Sequence, residues 1–170
     1  MLKYALFCLV LLSSSLAASE PPAYAKASKL AKQKHVSTLV VDDKRLTSYQ
    51  WKLTEAIGAN GQRLDALFAN PSLPLSVRFQ EKARLSLGGG CNQQSGSYQL
   101  QSGNLVVSAL ATTEMACENV ALMGQDQAIA TLLSRPVQIN LEAGPVSYLV
   151  LDTASGDALR FEGIKIPFGQ

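Results

Sequence analysis

Cys91 and Cys117 are the residues whose type and spacing most readily do chemistry in this chain. Two thiols allow a disulfide, a share of a metal site or a nucleophile. A nucleophile needs a base and an orienting group beside it. The only histidine is His35, far in sequence from any acidic cluster. No Gly-x-Ser-x-Gly elbow occurs, and two thiols without a nearby histidine make a poor zinc site. Gly88, Gly89 and Gly90 invite comparison with a phosphate loop, but such loops open a helix, and these glycines run into Cys91 and a β-like segment. The carboxylates have backbone reasons to stand where they do. Asp42 and Asp43 are adjacent and would point to opposite faces of a strand. Asp152 and Asp157 flank a turn, and Glu114 and Glu118 precede a helix. We therefore expect no catalytic, metal or cofactor-binding residue and no cofactor, hence a protein that is not an enzyme.

The compartment decides between the readings of the thiols. Lys3, the apolar run Ala5 to Leu12 and the small residues up to Ser19 have the form of a secretory signal peptide, assigned to residues 1–19. The run is too short for the roughly 20 residues that cross a bilayer, so no transmembrane span is expected after cleavage. Cys8 follows Phe7 inside the run, where a lipid-anchor cysteine does not sit. A periplasmic or secreted location is expected, and it is oxidising. There Cys91 and Cys117 have one intramolecular pairing, closing a loop of about 27 residues, which the chain-entropy model values at about 3–4 kcal/mol. The formal net charge of +2 carries no footprint of a nucleic-acid binder. A monomer is expected, its partner an unspecified protein, peptide or small ligand.

Those residues must be positioned by a mainly β domain. Residues 20–45 read as a basic linker, with Pro21-Pro22, four lysines between Lys26 and Lys34, and an early strand over Val36 to Val41. From there the apolar period is two. Trp51 and Leu53, Val77 and Phe79, Leu85 and Leu87, Val137, Ile139 and Leu141, and Leu159 and Phe161 alternate with polar neighbours. Such a period means strands with one buried face. Asn60-Gly61, Ser102-Gly103-Asn104 and Ser155-Gly156-Asp157 supply turns. One segment departs from the pattern: Leu122, Asp126, Ile129 and Leu133 are spaced as on a helix, with Asn119 as N-cap and Pro136 beyond its end. A curved antiparallel sheet either closes into a small barrel, with the helix over one opening, or folds into a two-layer sandwich; the barrel, which removes exposed edges, is the expected fold.

The motifs agree with this. Trp51-Lys52-Leu53 followed by Gly58, then Gly90-Cys91-Asn92 with Gly96 and Tyr98, then Thr113, Met115 and Cys117, resemble the META domain family, the HslJ-like heat-shock group. The resemblance spans about residues 46–163, leaving 164–170 as a tail. It implies a β-barrel-like fold with one helix, and a stress-linked role through binding. The motif residues are given structural tasks: Trp51 and Met115 as core fillers, the glycines as a bend, Asn92 as a local loop anchor. The other expectation is an inhibitor of an extracytoplasmic enzyme, acting through a rigid Gln93-Gln94-Ser95 loop.

Overall fold

The computed structural model describes residues 37–167; the signal segment, the lysine-rich stretch with His35 and residues 168–170 lie outside the described residues. The alternating segments fold as strands: β1 (Ser37–Leu39), β2 (Tyr49–Ile57), β3 (Ser76–Gln80), β4 (Arg84–Gly88), β5 (Gln94–Gln101), β6 (Asn104–Val107), β7 (Ala111–Thr112), β8 (Val137–Ala143), β9 (Tyr148–Asp152) and β10 (Ala158–Lys165). Two α-helices, α1 (Asp43–Thr47) and α2 (Val120–Leu133), and one 3-10 turn (Asp65–Phe68) complete the described elements.

Every pairing is antiparallel, and the order β8-β6-β5-β4-β3-β2-β10-β9 returns to β8, closing an eight-stranded barrel. Closure removes the exposed edges that an open sheet would carry. The seam is narrow where β6 meets β8, at the pairs Asn104–Gln138 and Leu105–Val137. Farther along the same strand β1 pairs with Leu141, Glu142 and Ala143.

The period-two residues point inward as expected: Trp51, Leu53, Val77, Phe79, Leu85, Leu87, Val137, Ile139, Leu141, Leu159 and Phe161 are all buried. Rings fill the interior, with Phe79 and Tyr98 packed edge to face at 5.0 Å between centroids. The phase slips once. β10 pairs Arg160 with Glu55 but Phe161 with Leu53, so Thr54 is a bulge, its hydroxyl donating to the Arg160 carbonyl at 3.0 Å. Beyond the bulge Ala56, not Glu55, faces the core.

The expected late helix is α2, with the Asn119 side chain accepting from Ala121 N. It packs with the 3-10 turn over one end of the barrel, burying Leu67, Ile129 and Leu133. The other end holds an element that the sequence reading did not separate from the linker. Among the described residues the early strand ends at Leu39, short of the expected Val41, and Asp42 and Asp43 do not lie on a strand. Asp42 instead caps α1, accepting from Arg45 N at 2.8 Å and pairing with the Arg45 guanidinium. α1 inserts the fully buried Leu46, whose carbonyl accepts from the Trp51 indole N–H at 3.0 Å. Asp43 Oδ1 accepts from the buried Tyr98 hydroxyl at 2.8 Å. β1 and α1 thus belong to the folded unit rather than to a linker, and β10 runs on to Lys165 at the other terminus. Among the described residues, no helix is long and apolar enough to cross a membrane.

Candidate functional site

Beneath α2, three chain segments meet at the motif residues. β4 ends in the glycines. Gly89 has φ +96°, and a Cβ there would lie 2.5 Å from the Pro74 carbonyl oxygen. At Gly90 a Cβ would lie 1.6 Å from Asp126 Oδ1 of α2. The bend therefore needs glycine twice, once for backbone conformation and once for the carboxylate lying against it. The helical spacing puts Asp126 in the stripe but carries no sign of this partner. Its Oδ2 accepts from Asn92 N at 2.7 Å.

Gln125 and Gln94 complete a buried polar cluster. Gln125 donates from Nε2 to the Gly89 carbonyl at 2.9 Å, and its Oε1 accepts from Ala69 N at 2.8 Å. Gln94 Nε2 donates to the Asp126 carbonyl at 3.0 Å. These side chains fix α2 to the barrel through hydrogen bonds shielded from water. Their signal in the sequence is two adjacent polar residues, Gln125 and Asp126, set in an apolar helical stripe.

The sulfurs of Cys91 and Cys117 are bonded, with 5.9 Å between the Cα atoms. Asn92 is more than a local anchor. Its Oδ1 accepts from Met115 N at 2.7 Å and from the Thr113 hydroxyl at 3.1 Å, across the gap between the two motifs. Gln93 N donates to the Thr113 hydroxyl and Thr113 N to the Gln93 carbonyl, each at 3.1 Å. β7 adds the pairs Gln94–Thr112 and Ser95–Ala111. Gly96 lies close under Leu110 and Ser108, whose nearest atoms would be 3.1 Å from an added Cβ.

Two expectations fail here. Met115 is not a core filler: it is 60% exposed, because its backbone is held by Asn92 while its side chain points away from the barrel. Gln93-Gln94-Ser95 is not a projecting loop: β5 begins at Gln94, which pairs with Leu87 and is buried. Trp51 and Tyr98 do occupy the core.

On its other flank, α2 and the 3-10 turn border a groove of about 680 Å³. Leu64, Ala128 and Leu132 give it apolar surface, with Arg63, Asp65 and Gln127 among its polar lining. Arg63 is placed by an ion pair to Asp65 at 2.8 Å and lies 3.8 Å over the Phe68 ring. Asp157 also lines the groove. The Ser155 hydroxyl, with Ala59 N–H and the Thr153 hydroxyl, holds its carboxyl below the usual value despite partial desolvation. Its place is thus that of a turn-forming acid, as its position beside Gly156 suggests.

Comparison with known proteins matches this geometry to a family. The family model described as the META domain fits residues 44–165. The chain belongs to the META domain family. Escherichia coli heat shock protein HslJ is 35% identical over 74 residues, covering 44% of this chain and 52% of HslJ. The match thus spans about half the length of that curated relative. A protein from Burkholderia xenovorans solved by NMR has the same fold, with a TM-score of 0.62 at 22% identity over 78% of this chain and 99% of that one. A second NMR structure gives a TM-score of 0.51 at 27% identity, over 72% of this chain and 95% of that one. In this META domain the Gly-Cys-Asn and Thr-x-Met-Ala-Cys motifs are the two sides of one disulfide-closed corner, fastened to α2 through Asp126.

Proposed function

We propose that this META-domain protein is an exported, non-enzymatic binding protein that acts in the envelope or heat-stress response by holding a protein, peptide or small ligand in the groove beside α2. The observation that carries the reading is where free space lies. The barrel interior is filled by Trp51, Phe79 and Phe161, with α1 over one end and α2 with the 3-10 turn over the other. Among the described residues, an open concave surface lies outside, between Arg63–Leu67 and Gly124–Leu132, and it combines apolar area with a few fixed polar groups, as ligand sites do. The name of the relative HslJ supports the link to heat, and the Cys91–Cys117 bond suits an oxidising compartment.

The test fills the groove without touching the core. Thr131 is exposed and lines it. A strain lacking the gene should survive heat shock less well, and a wild-type copy should restore survival. A Thr131→Trp copy, shown folded by its thermal melt, should not. Equal survival of the deleted strain would remove the stress role, and full rescue by Thr131→Trp would remove the groove. Turnover of any substrate by the purified protein in a broad hydrolase screen would contradict the non-enzymatic reading.

A further inference from the structure

Met115 poses a physical problem. Both ends of its segment are fastened, by the Asn92 side chain and by the disulfide at Cys117, yet Glu114, Met115 and Ala116 are all exposed. A segment so restrained has already lost the conformational freedom that binding would otherwise remove. It holds an unbranched, adaptable apolar side chain out in water. Nor does Met115 stand alone. Leu73, whose carbonyl lies beside Gly89, and Val120 and Met123 at the start of α2 are also exposed. Of the large apolar side chains exposed among the described residues, these four belong to the segments meeting at the Gly89–Asn92 bend.

The charge at this corner is one-sided. Residues 69–75, 88–96 and 111–127 contain Glu114, Glu118 and Asp126 and not one Lys, Arg or His, in a chain whose net charge is +2. Glu114 and Glu118 are exposed on either side of Met115. This field repels phosphate backbones and anionic lipid surfaces and attracts cationic segments. We propose that the corner formed by Leu73, Glu114, Met115, Glu118, Val120 and Met123 docks a basic, apolar polypeptide segment of a partner protein. Methionine and the flanking aliphatic side chains would take the apolar residues, and the two glutamates would steer and orient the cationic ones. The inference rests on the binding reading above but uses residues that do not line the groove.

Residue-resolved NMR of the 15N-labelled mature protein separates the two. The probes are a leucine–lysine peptide, a leucine–glutamate peptide of the same length and spacing, and vesicles containing anionic phospholipid. The lysine peptide should shift the amides of Glu114–Cys117 and Val120–Met123, and its affinity should fall at least tenfold for Glu114→Lys combined with Glu118→Lys. It should fall similarly for Met115→Ser, an exposed change that leaves the melt unaltered. Equal binding of both peptides, shifts confined to Arg63–Leu67 and Thr131, or binding only to vesicles would each overturn the proposal. Shifts confined to the groove would meanwhile support the groove reading, so the two fail separately.

Discussion

The clearest single-residue consequence lies at Gly90. A methyl group there would overlap Asp126 Oδ1, and the carboxylate cannot retreat without releasing Asn92 N. Gly90→Ala should cost about 1–3 kcal/mol by denaturant unfolding, as overpacking does. Adding Asp126→Ala should recover part of that loss, because the two side chains compete for one space; strict additivity would show that the clash had been absorbed elsewhere. Tyr98 offers a test in pH. Burial, then the hydrogen bond to Asp43 and its charge, raises the Tyr98 hydroxyl well above its ordinary value of 10.0. The unfolded chain therefore loses this proton first, and stability should fall as pH rises through about 10, the ordinary tyrosine range. Tyr98→Phe should flatten that alkaline slope; an unchanged slope would mean that Tyr98 is not its source. The Cys91–Cys117 pairing was legible from residue type and the expected compartment, whereas Asn92 read only as a local anchor although it bridges to Thr113 and Met115. The exposure of Met115 was not, because an apolar side chain gives no sign in sequence of which way its segment faces.

Among the elements, the strands were readable because alternation reports directly on which face is wet. Reading failed where period and local structure part company. Thr54 adds one residue to β2, which moves the buried series from Leu53 to Ala56. The α1 helix spans only Asp43–Thr47, too short to show a helical period. Its weight in the fold is nevertheless large, since Leu46 is fully buried and its carbonyl holds the Trp51 indole N–H. Leu46→Ala should cost about 2–5 kcal/mol, the range for a buried leucine left as a cavity, and a calorimetric melt would show it. The Gly-Cys-Asn bend and the Thr113–Cys117 segment are tied by sulfur across 26 positions. Cys117→Ser should lower stability by about 2–4 kcal/mol, and the folded native protein should show no titratable thiol. A freely reacting thiol would remove the bond from the account.

For the molecule as a whole, barrel closure could be proposed but not traced, because alternation says that a strand has two faces and not which strand lies beside it. The decisive pairing joins β8 to β9 and β6, bringing together segments separated by α2. The arrangement leaves β8 longer than the hairpin tip that meets it. The carbonyl of Gly103 at that tip accepts from Ile139 N, and from Leu141 onward the main chain of β8 is taken up by β1. That strand contributes little side-chain packing, with Ser37 and Thr38 exposed and Leu39 half-buried. Its service is as a guard against sticking. Trimmed away, it would leave a short row of peptide groups open to any extended chain that drifted past, a second copy included. A protein begun at Val41 should keep its barrel, yet scatter more light than the parent as concentration or storage time increases.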